Sequence, residues 1–176
     1  MKLSEIREAN RTITEENIKQ IRDTIDTILT TGVIAHEEGL LGLDEFTTKN
    51  DYELLNIGIN LVVDGTDPDL TRKILENKYY ANGNTSVDAL CDLMIIEGIL
   101  HIQEGINPIV IEKIIRSMIC DRIDSKLEES LCQMVRDRYK KSKANKRTIN
   151  ASVKRTLDSE ILTAEEIKEL LQNFKK

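Results

Sequence analysis

The stretch that decides the fold is SVDALCDLMIIEGILHIQEGINPIVIEKII, residues 86–115. Val87, Leu90, Cys91, Met94, Ile95, Ile99 and Ile102 recur at helical spacing and form an apolar face too wide for a surface helix. This segment is therefore predicted to be the most buried element of the chain. Gly105 supplies a stop, and Asn107 followed by Pro108 supplies a cap and a proline suited to a first helical turn. Val110, Ile111, Ile114, Ile115, Met118 and Ile119 then form paired ridges on a second core helix. Leu90, Met94, Ile95, Ile99, Ile111, Ile115 and Ile119 are the predicted core.

Upstream, DGTDP (64–68) repeats the same punctuation: Gly65 can take the left-handed conformation that ends a helix, Asp67 can cap, and Pro68 can open the next one. Helices are predicted over about 51–63, capped by Asn50 or Asp51, and over 69–80, with ANGNTS as a loop ending in the cap Ser86. Judged by propensity alone, INLVVDG could also be a short strand. Ile18, Ile21, Ile25 and Ile28 follow an apolar seam behind the cap-like Thr14 and the acids Glu15 and Glu16, predicting a helix over 14–30. Residues 31–46 continue it or form another, interrupted by Gly32, Gly39 and Gly42. Toward the C-terminus the pattern predicts a helix over 125–139, a basic run over 136–147, a short helix around Ile149–Leu157, and a capped helix bearing Ile167, Leu170, Leu171 and Phe174.

The fold class is all-α, a compact bundle of about six to eight helices. The domain reading is a helical domain over 1–122 and a C-terminal helical extension over 123–176 that contains the basic linker 136–147. With 176 residues the chain can bury a sizeable core, and aromatics at 3% leave that core to aliphatic side chains.

A transmembrane helix needs roughly 18 or more apolar residues, whereas the longest uncharged runs, Thr27–His36 and Leu54–Val63, reach ten. MKLSEIREANR lacks the apolar core of an export signal, so the expected compartment is the cytoplasm, without direct membrane insertion. Conduction of ions by this polypeptide alone is likewise not expected. Cys91, Cys120 and Cys132 form no Cys-x-x-Cys pair and read as reduced thiols. His36 and His101 are too few and too separated for a histidine zinc site. Asp64, Asp67 and Asp69 alternate, yet Pro68 and the missing downstream Glu depart from a calcium loop, and capping accounts for Asp67. The net charge of −6 speaks against general nucleic-acid binding. No phosphate loop, nucleophile elbow or dinucleotide fingerprint occurs, so the chain reads as a non-enzyme with no cofactor and no small-molecule substrate.

One local oddity is IAHEEGLLGLDEF, residues 34–46. As a single helix it would place Glu37 and Asp44 among Val33, Leu40 and Leu41. Alternatively, Gly39 breaks the register and leaves both acids in solvent.

Three separated stretches, AHEEGLLGLDE (35–45), GINLVVDGTDPDLTRKILEN (58–77) and IIEGILHIQEGINPIVIEKII (95–115), resemble cytoplasmic segments of the flagellar motor stator family MotA, within the MotA/TolQ/ExbB proton channels. They occur in the family's order. In that family membrane spans lie between the second and third segments; here the interval is KYYANGNTSVDALCDLM, short and polar. The resemblance implies a stator-like cytoplasmic domain without its channel. By the same resemblance it binds flagellar motor proteins, either the rotor switch protein or stator components, at the inner face of the cell membrane. It further implies that the first stretch carries the partner contact: His36, Glu37, Glu38, Asp44 and Glu45. His36 stands where the family usually has Arg, and Asp44 where it has Glu, so a permanent positive charge is replaced by a titratable side chain. Homo-oligomerisation is compatible with this reading. Two other readings compete with it: a soluble helical adaptor no longer tied to motility, with 121–176 as its arm, and a nucleic-acid-binding regulator using Arg136–Arg147.

Overall fold

Residues 86–103 carry apolar side chains on every side, and a helix of that kind is stable only when other helices surround it. The computed structural model describes residues 3–49, 52–125, 127, 137 and 140. Among these, the elements are α1 (Leu3–Thr12), α2 (Ile18–Glu38), α3 (Glu53–Val63), α4 (Pro68–Asn82), α5 (Ser86–Gln103), α6 (Pro108–Arg116) and α7 (Asp121–Asp124). Short 3-10 segments cover Glu15–Asn17 and Leu40–Lys49. The fold is all-α, and no described residue lies in a strand; INLVVDG belongs to α3 and the turn after it. The chain divides into two units, Met1–Tyr139 and Lys140–Lys176, and the helices α1 to α7 belong to the first. The helices predicted over 125–139, around Ile149–Leu157 and at Ile167–Phe174, the basic run 136–147 and Cys132 lie largely or wholly outside the described residues.

The central element is α5, packed against by α1, α2, α3, α4 and α6. Its buried residues include every member of the predicted face and add Ala89, Leu93, Ile96, Gly98 and Leu100 on the other sides. Leu90, Met94, Ile95, Ile99, Ile111, Ile115 and Ile119 are all buried. Of the second set of ridges, however, Val110 is exposed, because α6 buries the face that carries Pro108, Ile111 and Ile115 and Val110 lies off that face.

Local signals place most helix ends. Asp67 caps α4 by accepting from the backbone N–H groups of Asp69 and Leu70, and Asn107 caps α6 by accepting from that of Ile109. Both helices begin with proline, and Gly65 and Gly105 take positive φ at the preceding turns. Thr14 precedes α2 with its N–H and hydroxyl both donated to Asn17 Oδ1, at 3.0 and 2.9 Å.

Three local expectations need correction. The N-cap of α3 is Tyr52, a residue beyond the predicted Asn50 or Asp51. The cap position of α5 is Thr85, while Ser86 is already inside the helix at φ 55. The reason is spatial: α4 runs on to Asn82, leaving only residues 83–85 to reverse the chain onto α5. Finally, α1 was not anticipated. Ile6 and Ala9, with Ile13 just past its end, give it a sparse stripe between charges, and its packing on α5 stabilises what its own sequence would not.

Polar contacts tie these helices together. Arg72 on α4 reaches Glu97 on α5 at 3.2 Å, and Gln103 at the end of α5 donates to the Thr66 carbonyl in the turn before α4. Asn10 on α1 accepts from the Cys120 N–H at 2.8 Å and donates to the Met118 carbonyl at 2.9 Å. Arg122 donates to the Ile13 carbonyl at 3.0 Å, closing the same seam.

Burial pushes the Cys91 thiol up to about 11, with the Thr24 hydroxyl acting in the opposite direction. The unfolded chain loses this proton near the ordinary value of 9.0, whereas the folded chain keeps it. Between those limits the unfolded state binds fewer protons, so stability falls as pH rises, by about 1.4 kcal/mol per unit at most. Urea unfolding midpoints should therefore decline between pH 9 and 11, and Cys91→Ala should flatten that decline. An identical decline in Cys91→Ala would assign it to other groups.

Candidate protein interface

The predicted contact residues sit where α2 gives way to the 3-10 segment Leu40–Lys49. Gly39 ends α2 at φ 84, with its N–H bonded to the Ala35 carbonyl at 3.0 Å. A backbone turned this way favours glycine, so the helical register does not continue beyond it. Next the chain folds tightly back: Gly42 N–H meets the Gly39 carbonyl, and a Cβ on Gly42 would fall 2.6 Å from Glu38 Cβ.

Of the two arrangements open from sequence, the structure has the broken register. His36, Glu38, Asp44 and Glu45 are exposed and Glu37 is half-buried, so none of the acids enters the core. Leu43 is fully buried and anchors the segment, whereas Leu41 remains 76% exposed. All five predicted residues thus lie on one helix end and the turn that follows it.

Beside them lies a feature that the sequence did not reveal, a cleft of about 200 Å³. One wall is the last part of α2, with Gly32, Ala35 and His36, followed by Gly39 and Leu40. The opposite wall is the end of α5 and its turn, with Ile102, Gln103, Gly105 and Ile106. Gln103 Oε1 is buried and has no hydrogen-bond partner. HIQEG carries the stop signal for α5, but nothing in its spacing says that this end meets the end of α2.

Among the described residues no group of three His, Cys, Asp or Glu side chains could hold a metal ion. Asp67 is engaged in capping, and the depressed-pKa environment of a reactive thiol is absent at Cys91. No helix of the described residues is long and apolar enough to cross a membrane. No family model matches the chain, and no curated protein matches it.

Proposed function

We propose that this chain is a non-enzymatic, stator-like protein of the flagellar motor. In this reading it binds a motor component, the rotor switch protein or a stator subunit, through the end of α2 and the following turn. The observation that carries the reading is spatial. The three stretches with MotA resemblance, far apart in sequence, form neighbouring elements: the end of α2 with its 3-10 segment, α3 with α4, and α5 with α6. Contacts between them use residues inside those stretches, including Arg72 with Glu97 and Gln103 with the Thr66 carbonyl. A set of loops that pack this way can be joined by the short turn at 83–85 in place of membrane spans, since closing a short connection costs little entropy. Peripheral placement at the inner face of the cell membrane follows from such partners.

The acids Glu37, Glu38, Asp44 and Glu45 suit a basic partner surface, where charge governs encounter rate and specificity more than fold stability. Glu37→Lys with Glu38→Lys should weaken capture of motor proteins in a pulldown by about tenfold or more, while leaving the thermal midpoint nearly unchanged. Raising salt should weaken wild-type capture in the same direction. Capture unaltered by the double reversal would remove this segment as the interface. A helical adaptor outside motility is the outcome if no motor protein is captured at all.

A further inference from the structure

A second cavity, of about 340 Å³, lies between α1, the end of α4 and the start of α5. Glu5 and Glu8 stand one helical turn apart on α1 and both line it. Tyr79 on α4, Asn84 in the turn, and Ala9 and Ala89 contribute to the rest of the lining, which contains no Lys or Arg side chain. Tyr79 is 7% exposed, yet among the described residues its hydroxyl has no hydrogen-bond partner. That oxygen is not sealed from solvent, and the space that Tyr79 lines is this cavity. Its neighbours place it there. Burial pushes the Tyr79 phenol above its ordinary value, and the charge of Glu5, then Tyr80 and Asp92, pushes it further the same way. Glu5 is itself in the lining, and Asp92 accepts a hydrogen bond from Asn84, another lining side chain. The hydroxyl therefore stands among negative groups on the cavity side.

The positive pole of α5 also lies here, but it amounts to about half a charge and is opposed by Asp88 in the first turn. Two full carboxylate charges in the lining outweigh it, so the cavity favours a cation. Its volume falls within the usual range for small ligands, about 300–1,000 Å³. We infer that the cavity between α1, α4 and α5 binds a small primary amine in its ammonium form. The alkyl stem packs on Ala9, Ala89 and the Tyr79 ring, and the ammonium donates to the Tyr79 hydroxyl oxygen and to the carboxylates of Glu5 and Glu8. Such a ligand supplies the partner that the enclosed phenol lacks within the fold. The site shares no residue with the partner contact proposed at the end of α2 and stands independently of it.

The test is a titration of the isotope-labelled full chain with butylammonium chloride at neutral pH, followed by NMR, with 1-butanol as the uncharged counterpart. Butylammonium should bind with a dissociation constant of about 1 mM, the scale for a ligand of this size. It should shift the backbone amides of Ser86 and Ala89 and the side-chain amide of Asn84. Butanol should bind about tenfold more weakly or worse, since it carries no charge. Tyr79→Phe keeps the ring and removes only the hydroxyl, and should weaken binding about fivefold. Its thermal midpoint should stay close to that of the wild type, because no hydrogen bond within the described residues is lost. Glu5→Gln with Glu8→Gln keeps the side-chain size and should weaken binding about tenfold. No binding of butylammonium, equal binding of butanol, or affinity unchanged by Tyr79→Phe would each overturn the site. Shifts as large around Glu37 and Glu38 as around Ser86 would also overturn it, by showing only a general attraction of cations to an acidic chain.

Discussion

Ile99→Ala should destabilise the protein by about 2–5 kcal/mol, the range for removing a fully buried aliphatic side chain. Ile99 has no exposed surface and stands at the crossing of α3 and α5. The reason for expecting a large cost lies in its partner across that crossing. A Cβ placed on Gly58 would lie 2.8 Å from Ile99 Cγ1 and 3.1 Å from Cγ2, so α3 rides directly on this side chain. Removing the side chain leaves a void that the α3 backbone, held along its length by other contacts, cannot collapse to fill. Gly58→Ala alone should also destabilise, because overpacking a dense core costs about 1–3 kcal/mol, partly offset by the better helix propensity of Ala. Combined, the two changes should cost less than their sum by about 1 kcal/mol, since the new methyl enters space the isoleucine has left. Urea denaturation of the four proteins in this cycle measures the coupling. Strict additivity would mean that Gly58 and Ile99 do not meet as described.

Asn10→Ala should cost about 2–4 kcal/mol, because one side chain satisfies both a backbone donor and a backbone acceptor on a distant segment. With alanine, the Cys120 N–H and the Met118 carbonyl lose their partner in a partly buried place. Asn10→Asp separates the two contributions: its carboxylate can still accept from Cys120 N–H but sets a negative oxygen against the Met118 carbonyl. Hydrogen exchange should report the loss locally, with faster exchange at Cys120 and along α1 before the helices around α5 respond. Exchange accelerated uniformly, with α1 no more affected than α5, would contradict the description of Asn10 as a clamp.

Much of this architecture was legible because its signals are local. Asp67-Pro68 and Asn107-Pro108 announce helix starts through atoms within three residues, and Gly65 and Gly105 announce stops by a backbone conformation open to glycine. The burial of α5 was readable from its all-round apolar composition. What stayed hidden depends on distant parts of the chain. Ile6, Ala9 and Ile13 are too sparse to predict α1 alone, though their spacing was a usable sign, and the helix is held by α5 and by Asn10. Gly58 gives no hint in sequence that it meets Ile99. Likewise the acids of 37–45 were visible as a cluster, and Gly39 as a candidate break. The cleft formed with Gln103 and Gly105 was not, because it exists only where two helix ends converge.

Membership of the flagellar motor is tested most directly by swimming. The gene is deleted in its own host, and spreading through soft agar is compared with that of the parent, the complemented strain and a strain carrying Glu37→Lys with Glu38→Lys. The expected result is impaired spreading on deletion, restored by the wild-type chain but not by the double reversal accumulating to the same level. Spreading indistinguishable from the parent after deletion, in a host whose motility is otherwise intact, would contradict the account.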